Sequence, residues 1–340
     1  MNIGRIGEDG GKPIKIDVKD KKILTFLEND SRMSLTQIAK KVALSRDAIN
    51  YRIKRLVDKK IILRFFPELD FRKLGFHQYH VFMLLNEKNQ EKKKEMLEEL
   101  KKHPNITSII EYSDRWDIRV VFIAKTIEEF DMMLSDFLSR YPDTILDRDT
   151  ISVINEYCNT YLPNNYKNIK VDERPNRIEE EFSLDSKDMQ ILSALSKDSR
   201  VSTYEMTKEV DLSADAIGYR IKKMVASGVI KKFTILVNFS KLHYNWYTYG
   251  VQMSIFDSKT EAKFKEFCNK HPYILKSIKI LGDWDILLFI VSDSFENFHQ
   301  TIKELKLLFC ESIQNYETWV AHKEHHFENF PDAIKEIASR

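Results

Sequence analysis

Residues 46–60 carry side chains suited to one kind of chemistry. Arg46 and Asn50 offer planar, two-pronged hydrogen-bonding groups, Tyr51 a hydroxyl on a flat ring, and Lys54, Arg55, Lys59 and Lys60 cations. Such groups pair with base edges and phosphate oxygens when one helix holds them on one face. Ile49, Ile53, Leu56 and Val57 recur at helical spacing and are expected to form the buried stripe, leaving the polar set on the opposite arc. Arg52 and Arg220 border such stripes, so packing is as strong an expectation for them as base recognition.

The elements that must position this set announce their own starts. Ser45 is a natural N-cap, Asp47 complements the positive helix end, and Leu44 can staple to Ile49. Upstream, Ser34-Leu-Thr-Gln37 fits a capping box, and Ile23, Leu24 and Leu27 form the stripe of an earlier helix. Three short helices with tight turns make a helix-turn-helix pattern. The alternation in Ile61-Ile62-Leu63-Arg64-Phe65 then adds a strand, the wing.

The whole pattern occurs twice. Asp17-Val-Lys-Asp-Lys-Lys-Ile-Leu returns as Asp185-Ser-Lys-Asp-Met-Gln-Ile-Leu, Tyr51-Arg52-Ile53-Lys54 as Tyr219-Arg220-Ile221-Lys222, His103-Pro104 as His271-Pro272, and Trp116-Asp117-Ile118 as Trp284-Asp285-Ile286, without a gap. Ser202 to Glu205 repeats the capping box and Ser213 the N-cap. The second reading face is poorer, with Ala214 for Arg46 and Gly218 for Asn50, and relies on Tyr219, Lys222 and Lys223. Charge follows the same division. Residues 17–64 hold 13 basic and 6 acidic residues, but residues 185–232 hold 9 and 7.

Behind each wing the pattern reads βαββαβ: strands at 79–85, 106–112, 116–124 and 151–157, helices at 91–103 and 127–141, with the same order in the second copy. The fold class is therefore α+β, two copies of a winged helix-turn-helix followed by a ferredoxin-like domain. The boundaries expected are a flexible lead at 1–16, helix-turn-helix domains at 17–66 and 185–234, α/β domains at 67–162 and 235–330, a linker at 163–184 and a tail at 331–340. A four-stranded sheet covered on one face needs a partner on the other, so sheet-to-sheet association, between the copies or between chains, is expected from burial alone.

These motifs resemble the leucine-responsive and asparagine-operon regulators, the Lrp/AsnC family. Its L-S-x-x-x-[VI]-x-x-R-[IV]-x-x-L helix is matched by Leu44 to Leu56 and, with Met224 in last place, by Leu212 to Met224. Its G-x-[YFW]-D hairpin is matched by Gly282-Asp283-Trp284-Asp285, whereas the first copy reads Asp114-Arg115-Trp116-Asp117, without the glycine. The resemblance implies a transcription regulator of double-stranded DNA with no cofactor. It also implies that a small effector, often an amino acid, binds at the hairpins, at Asp114, Asp117, Gly282, Asp283 and Asp285. A plain tight turn using Gly or Asp is the competing explanation of the hairpin.

Other readings have less support in the residues. Siroheme decarboxylases share the family fold, but His77 and His80, the close histidine pair of copy one, are replaced by Asn245 and Thr248 in copy two. A metabolite-binding protein whose helix-turn-helix domains no longer bind DNA is a further alternative. His322, His325 and His326 could ligate zinc or nickel, yet adjacent strand residues face opposite ways, and a surface tail explains them as well. No RNP-like motif favours RNA, and no phosphate loop, nucleophile elbow or H-E-x-x-H favours catalysis, so neither enzyme nor metal site is expected. Cys158, Cys268 and Cys310 form no C-x-x-C and are expected as buried thiols. With no apolar run of membrane-spanning length and no signal-like start, a cytoplasmic location is expected.

Overall fold

The computed structural model describes residues 4–7, 14–166 and 183–335. Most of the expected linker and the end of the tail lie outside them. Among the described residues no helix is long and apolar enough to cross a membrane. Compactness divides the chain into two units, and each draws on both copies. One comprises Lys15–Phe76, Lys167–Val237 and Glu328–Arg340, the other Met1–Ile14, His77–Tyr166 and Asn238–Phe327.

The first unit holds both helix-turn-helix segments. In copy one, helices α1 (Val18–Asn29), α2 (Leu35–Val42) and α3 (Arg46–Asp58) lead into strand β1 (Ile62–Leu69). Copy two repeats this as α6 (Ser186–Lys197), α7 (Thr203–Met206), α8 (Ala214–Ala226) and β6 (Ile230–Val237). Asp17, Ser34, Asp185 and Ser202 all close capping boxes, which explains why the helices begin where they do. The wing strand differs from the expectation of a local wing, because β1 pairs antiparallel with β6, the strand of the other copy. Around this ribbon the contacts are reciprocal. Ser31 Oγ and Ser199 Oγ lie 2.6 Å apart, Arg32 donates to the Ser199 carbonyl at 2.5 Å, and Arg200 donates to the Ser31 carbonyl. A buried Lys232–Glu28 pair at 2.5 Å joins the copies asymmetrically.

The second unit is a closed barrel. Copy one contributes β2 (His77–Leu85), α4 (Gln90–Lys102), β3 (Ile106–Tyr112), β4 (Ile118–Ala124), α5 (Ile127–Arg140) and β5 (Ile145–Asn159). Copy two contributes β7 (Asn245–Met253), α9 (Ser258–Lys270), β8 (Ile274–Leu281), β9 (Ile286–Ser292), α10 (Phe295–Leu308) and β10 (Ile313–Phe327). Strand order is β10-β3-β4-β2-β5-β8-β9-β7, closing back on β10. Closure depends on the two 15-residue strands. The front half of β5 pairs with β2 and its back half with β8, while β10 does the same with β7 and β3. The expected last strand, 151–157, is shorter than the observed one because its front half follows Ile145 and Leu146 with four polar residues, Asp147 to Thr150, which carry no strand-like apolar pattern.

Alternation fixes the faces. Tyr79, Val81, Met83 and Leu85 with Ile118, Val120 and Phe122 pack on α4 and α5, and Tyr247, Tyr249 and Val251 with Ile286, Leu288 and Ile290 pack on α9 and α10. The intervening residues point into the barrel. There Gly250 is required by close approach, since a Cβ would stand 2.9 Å from both Trp284 and Trp319.

Two expectations fail here. Part of the lead is docked, not loose: Arg5 pairs with the buried Glu324 at 2.5 Å, and the Arg5 carbonyl accepts from the Phe239 N–H at 2.7 Å. Of the three cysteines only Cys268 is buried, Cys310 being exposed on the outer side of its turn.

Candidate nucleic-acid interface

Helices α3 and α8 are built alike. Ser45 Oγ accepts from the Ala48 N–H at 3.1 Å and Ser213 Oγ from the Ala216 N–H at 3.2 Å. Ile49, Ile53 and Leu56, and in α8 Ile217, Ile221 and Met224, are buried as the stripe requires. Val57 is not part of the stripe; it is 39% exposed, because it lies past the edge of the arc covered by the neighbouring helices.

The outward arc of α3 presents Arg46, Tyr51 and Lys54, with Asn50 half-buried beside them and Lys59 and Lys60 past the helix end. On α8, Tyr219, Lys222 and Lys223 are exposed. Tyr51 and Tyr219 have the same exposure, 68%, so both copies offer the ring equally.

Arg55 departs from the expected role of phosphate contact. Its guanidinium pairs with Asp20, whose carboxylate is fully buried and is also bound by Arg52 at 2.8 Å. A buried carboxylate requires opposite charge, and two arginines supply it. Arg52 also reaches Asp17 at 2.7 Å, and in copy two Arg220 reaches both Asp185 and Asp188 at 2.8 Å. The hydrogen bonds to these carboxylates push the Arg52 and Arg220 pKa values up. Arg52 and Arg220 are therefore pins fixing each reading helix to the first helix of its copy, a role that their place beside the apolar stripe only partly signalled.

Lys60 was missed as a backbone feature. It takes φ 56°, in the left-handed region, at the position where copy two has Gly228 at φ 79°. This is the residue that terminates the helix, where glycine is favoured and a side chain is strained.

The hairpin residues do not converge. Asp117 Oδ2 accepts from the Leu85 N–H at 2.5 Å and Asp285 Oδ2 from the Met253 N–H at 2.6 Å, so both carboxylates tie a hairpin to its neighbouring strand. Asp114 accepts from the Val320 N–H at 2.5 Å. Gly282 sits where a Cβ would be 2.4 Å from Ile151 Cγ2. Asp283 is exposed, and burial together with Asp283 raises the pKa of the nearby Asp149. The histidines are dispersed too. His77 is exposed while His80 is buried, and His325 bonds Glu111 at 2.7 Å while His326 is buried.

Comparison with known proteins places this architecture. Residues 16–57 match the AsnC-type helix-turn-helix domain, and residues 184–231 match a winged helix-turn-helix DNA-binding domain. Transcriptional regulator AzlB of Bacillus subtilis is 32% identical over 120 residues, covering 35% of this chain and 76% of that protein. HTH-type transcriptional regulator FL11 of Pyrococcus furiosus is 30% identical over 145 residues, covering 42% of this chain and 91% of that protein. The chain belongs to the Lrp/AsnC family of transcriptional regulators, with two copies of the family's modules in one polypeptide. With these relatives it is a DNA-binding regulator. The crystal structure of the siroheme decarboxylase NirDL shares the fold over 94% of this chain and 98% of its own, with TM-score 0.62 and 12% identity, a likeness of fold alone.

Proposed function

We propose that the chain reads an asymmetric, two-part site on duplex DNA. The first helix-turn-helix reads base edges through Arg46, Asn50 and Tyr51 and holds phosphates through Lys54, Lys59 and Lys60. The second adds Tyr219, Lys222 and Lys223, a smaller and less discriminating set. The observation that carries this reading is the β1–β6 ribbon, which holds two unequal reading helices in one compact unit. Paired helix-turn-helix modules engage half-sites about one helical turn, or a multiple, apart. Arg55 is left out because Asp20 engages it. Of the hairpin residues, Gly282 and Asp283 alone remain as candidates for effector contact, the three other carboxylates being bonded to backbone N–H groups.

Selection of sites from random duplexes tests this, first with the native chain, then with Arg46, Asn50 and Lys54 changed to alanine, and separately with Tyr219 and Lys222 changed. The expected result is a two-part site in which each variant blurs one half, the first more severely. Enrichment of no site, with weak binding governed by salt alone, would overturn the reading.

A further inference from the structure

Among the described residues, the barrel interior contains a charge with no partner. Arg119 lies on β4 between Ile118 and Val120, so alternation turns it away from the helices and into the barrel. It is 4% exposed, and its Nε and Nη1 have no hydrogen-bond acceptor among the described residues. Its guanidinium carbon lies 4.6 Å from the Phe289 ring centroid, a contact that supplies a quadrupole and no opposite charge. Two other buried groups face the same ring and lack a partner: Trp246 Nε1, with ring centroids 6.3 Å apart, and His80 Nδ1, at 6.4 Å.

The neighbouring groups do not neutralise Arg119. Glu324 is occupied by Arg5, which reaches it through its backbone N–H at 2.8 Å, Nε at 3.0 Å and Nη2 at 2.5 Å. The Tyr112 hydroxyl lies 2.8 Å from Thr248 Oγ1, and burial raises its pKa, so it stays neutral. Burial, with Arg119 and Lys276 adding to it, drives the His80 pKa well below the usual range, so that ring is neutral as well. Lys276 has its own carboxylate, Glu156, at 3.3 Å. Two guanidinium groups, Arg5 and Arg119, thus face one carboxylate. A buried, unpaired cation is among the most expensive features a fold can carry.

We propose that the unpartnered buried groups around Phe289 mark a binding site for one small carboxylate inside the barrel, Arg119 being its counter-ion and Trp246 and His80 its further hydrogen-bond partners. Copy two has Leu287 where copy one has Arg119, and Thr248 where it has His80. The site therefore exists once per chain. It uses none of the residues assigned to the reading helices or the hairpins, and it stands or falls independently of DNA binding.

The test uses the full chain without DNA, titrated with acetate and with pyruvate against chloride at equal ionic strength, by calorimetry and tryptophan fluorescence. Saturable binding of either carboxylate at one site per chain is expected. Arg119→Leu, which installs the residue of the second copy, abolishes that binding and does not lower the melting temperature in carboxylate-free buffer. Arg119→Lys keeps the charge without the fork and weakens binding about tenfold, providing the decisive comparison if the leucine variant does not fold. Absence of saturable binding of both carboxylates to the native chain, or binding that survives unchanged in either variant, overturns the proposal.

Discussion

The two helix-turn-helix segments share their scaffold and differ in what they show to solvent. Both have a serine N-cap on the reading helix, a capping box on each preceding helix, and an arginine pin to two aspartates. Yet Arg46, Asn50 and Lys60 in the first correspond to Ala214, Gly218 and Gly228 in the second. The helix before the reading helix is eight residues long in the first and four in the second. The residues that position the helix are thus not the ones that differ on its exposed face. A duplicated copy can lose exposed polar groups while keeping the serine caps and an arginine pin, although Asp188 is held by Arg220 where Asp20 is held by both Arg52 and Arg55.

Five substitutions sharpen that comparison, the largest effect coming from the shared scaffold. Asp20→Ala leaves two arginines without their buried partner and is expected to cost about 3 kcal/mol in denaturant unfolding. Asp188→Ala, which strands only Arg220, is expected to cost less; equal losses would mean that Arg55 adds nothing to the first pin. Next comes an exchange of reading residues. Asn50→Gly should weaken binding to the selected site by roughly tenfold or more. Gly218→Asn should define the second half-site more sharply and firm the helix by up to about 1 kcal/mol. There is room for it, because a Cβ at 218 meets only Thr203 Cγ2, at 3.9 Å. An unchanged selected site in both exchanged proteins would show that these positions do not read bases. Smallest is Lys60→Gly. Relief of the left-handed backbone should stabilise the fold by about 1 kcal/mol, while loss of one phosphate contact should reduce the salt slope of DNA binding by about 0.9. Stabilisation with an unaltered slope would make Lys60 a tolerated strain with no role at the phosphates.

The residues made local structure legible and left long-range pairing obscure. Capping boxes at Ser34 and Ser202 and caps at Ser45 and Ser213 are spelled within four residues, so helix starts could be read directly. The repeat likewise revealed the βαββαβ order. Nothing in Ile62–Leu69 states that its partner is Ile230–Val237, because an antiparallel pair of half-buried strands places the same demands on composition whichever strand lies opposite. The closing halves of β5 and β10 were hidden for the same reason. Within the reading face the exposed cations were legible but Arg55 was not, since its partner Asp20 is remote in sequence and resembles an ordinary first-turn acid. Arg119 passed unnoticed in a run of strand residues, its inward direction becoming informative only once the barrel closed around it.

The divided strands β5 and β10 have a consequence for how such a regulator behaves in a cell. Each spends half its length on its own copy and half on the other, so the partnership between copies is made by one continuous polypeptide. It has no dissociation constant, and dilution after cell division cannot separate it. Each half meets its companion at the high effective concentration that a shared polypeptide sets, which favours this pairing over mixed pairs with other chains. That bias lets a second half drift away from the first while still serving as its partner.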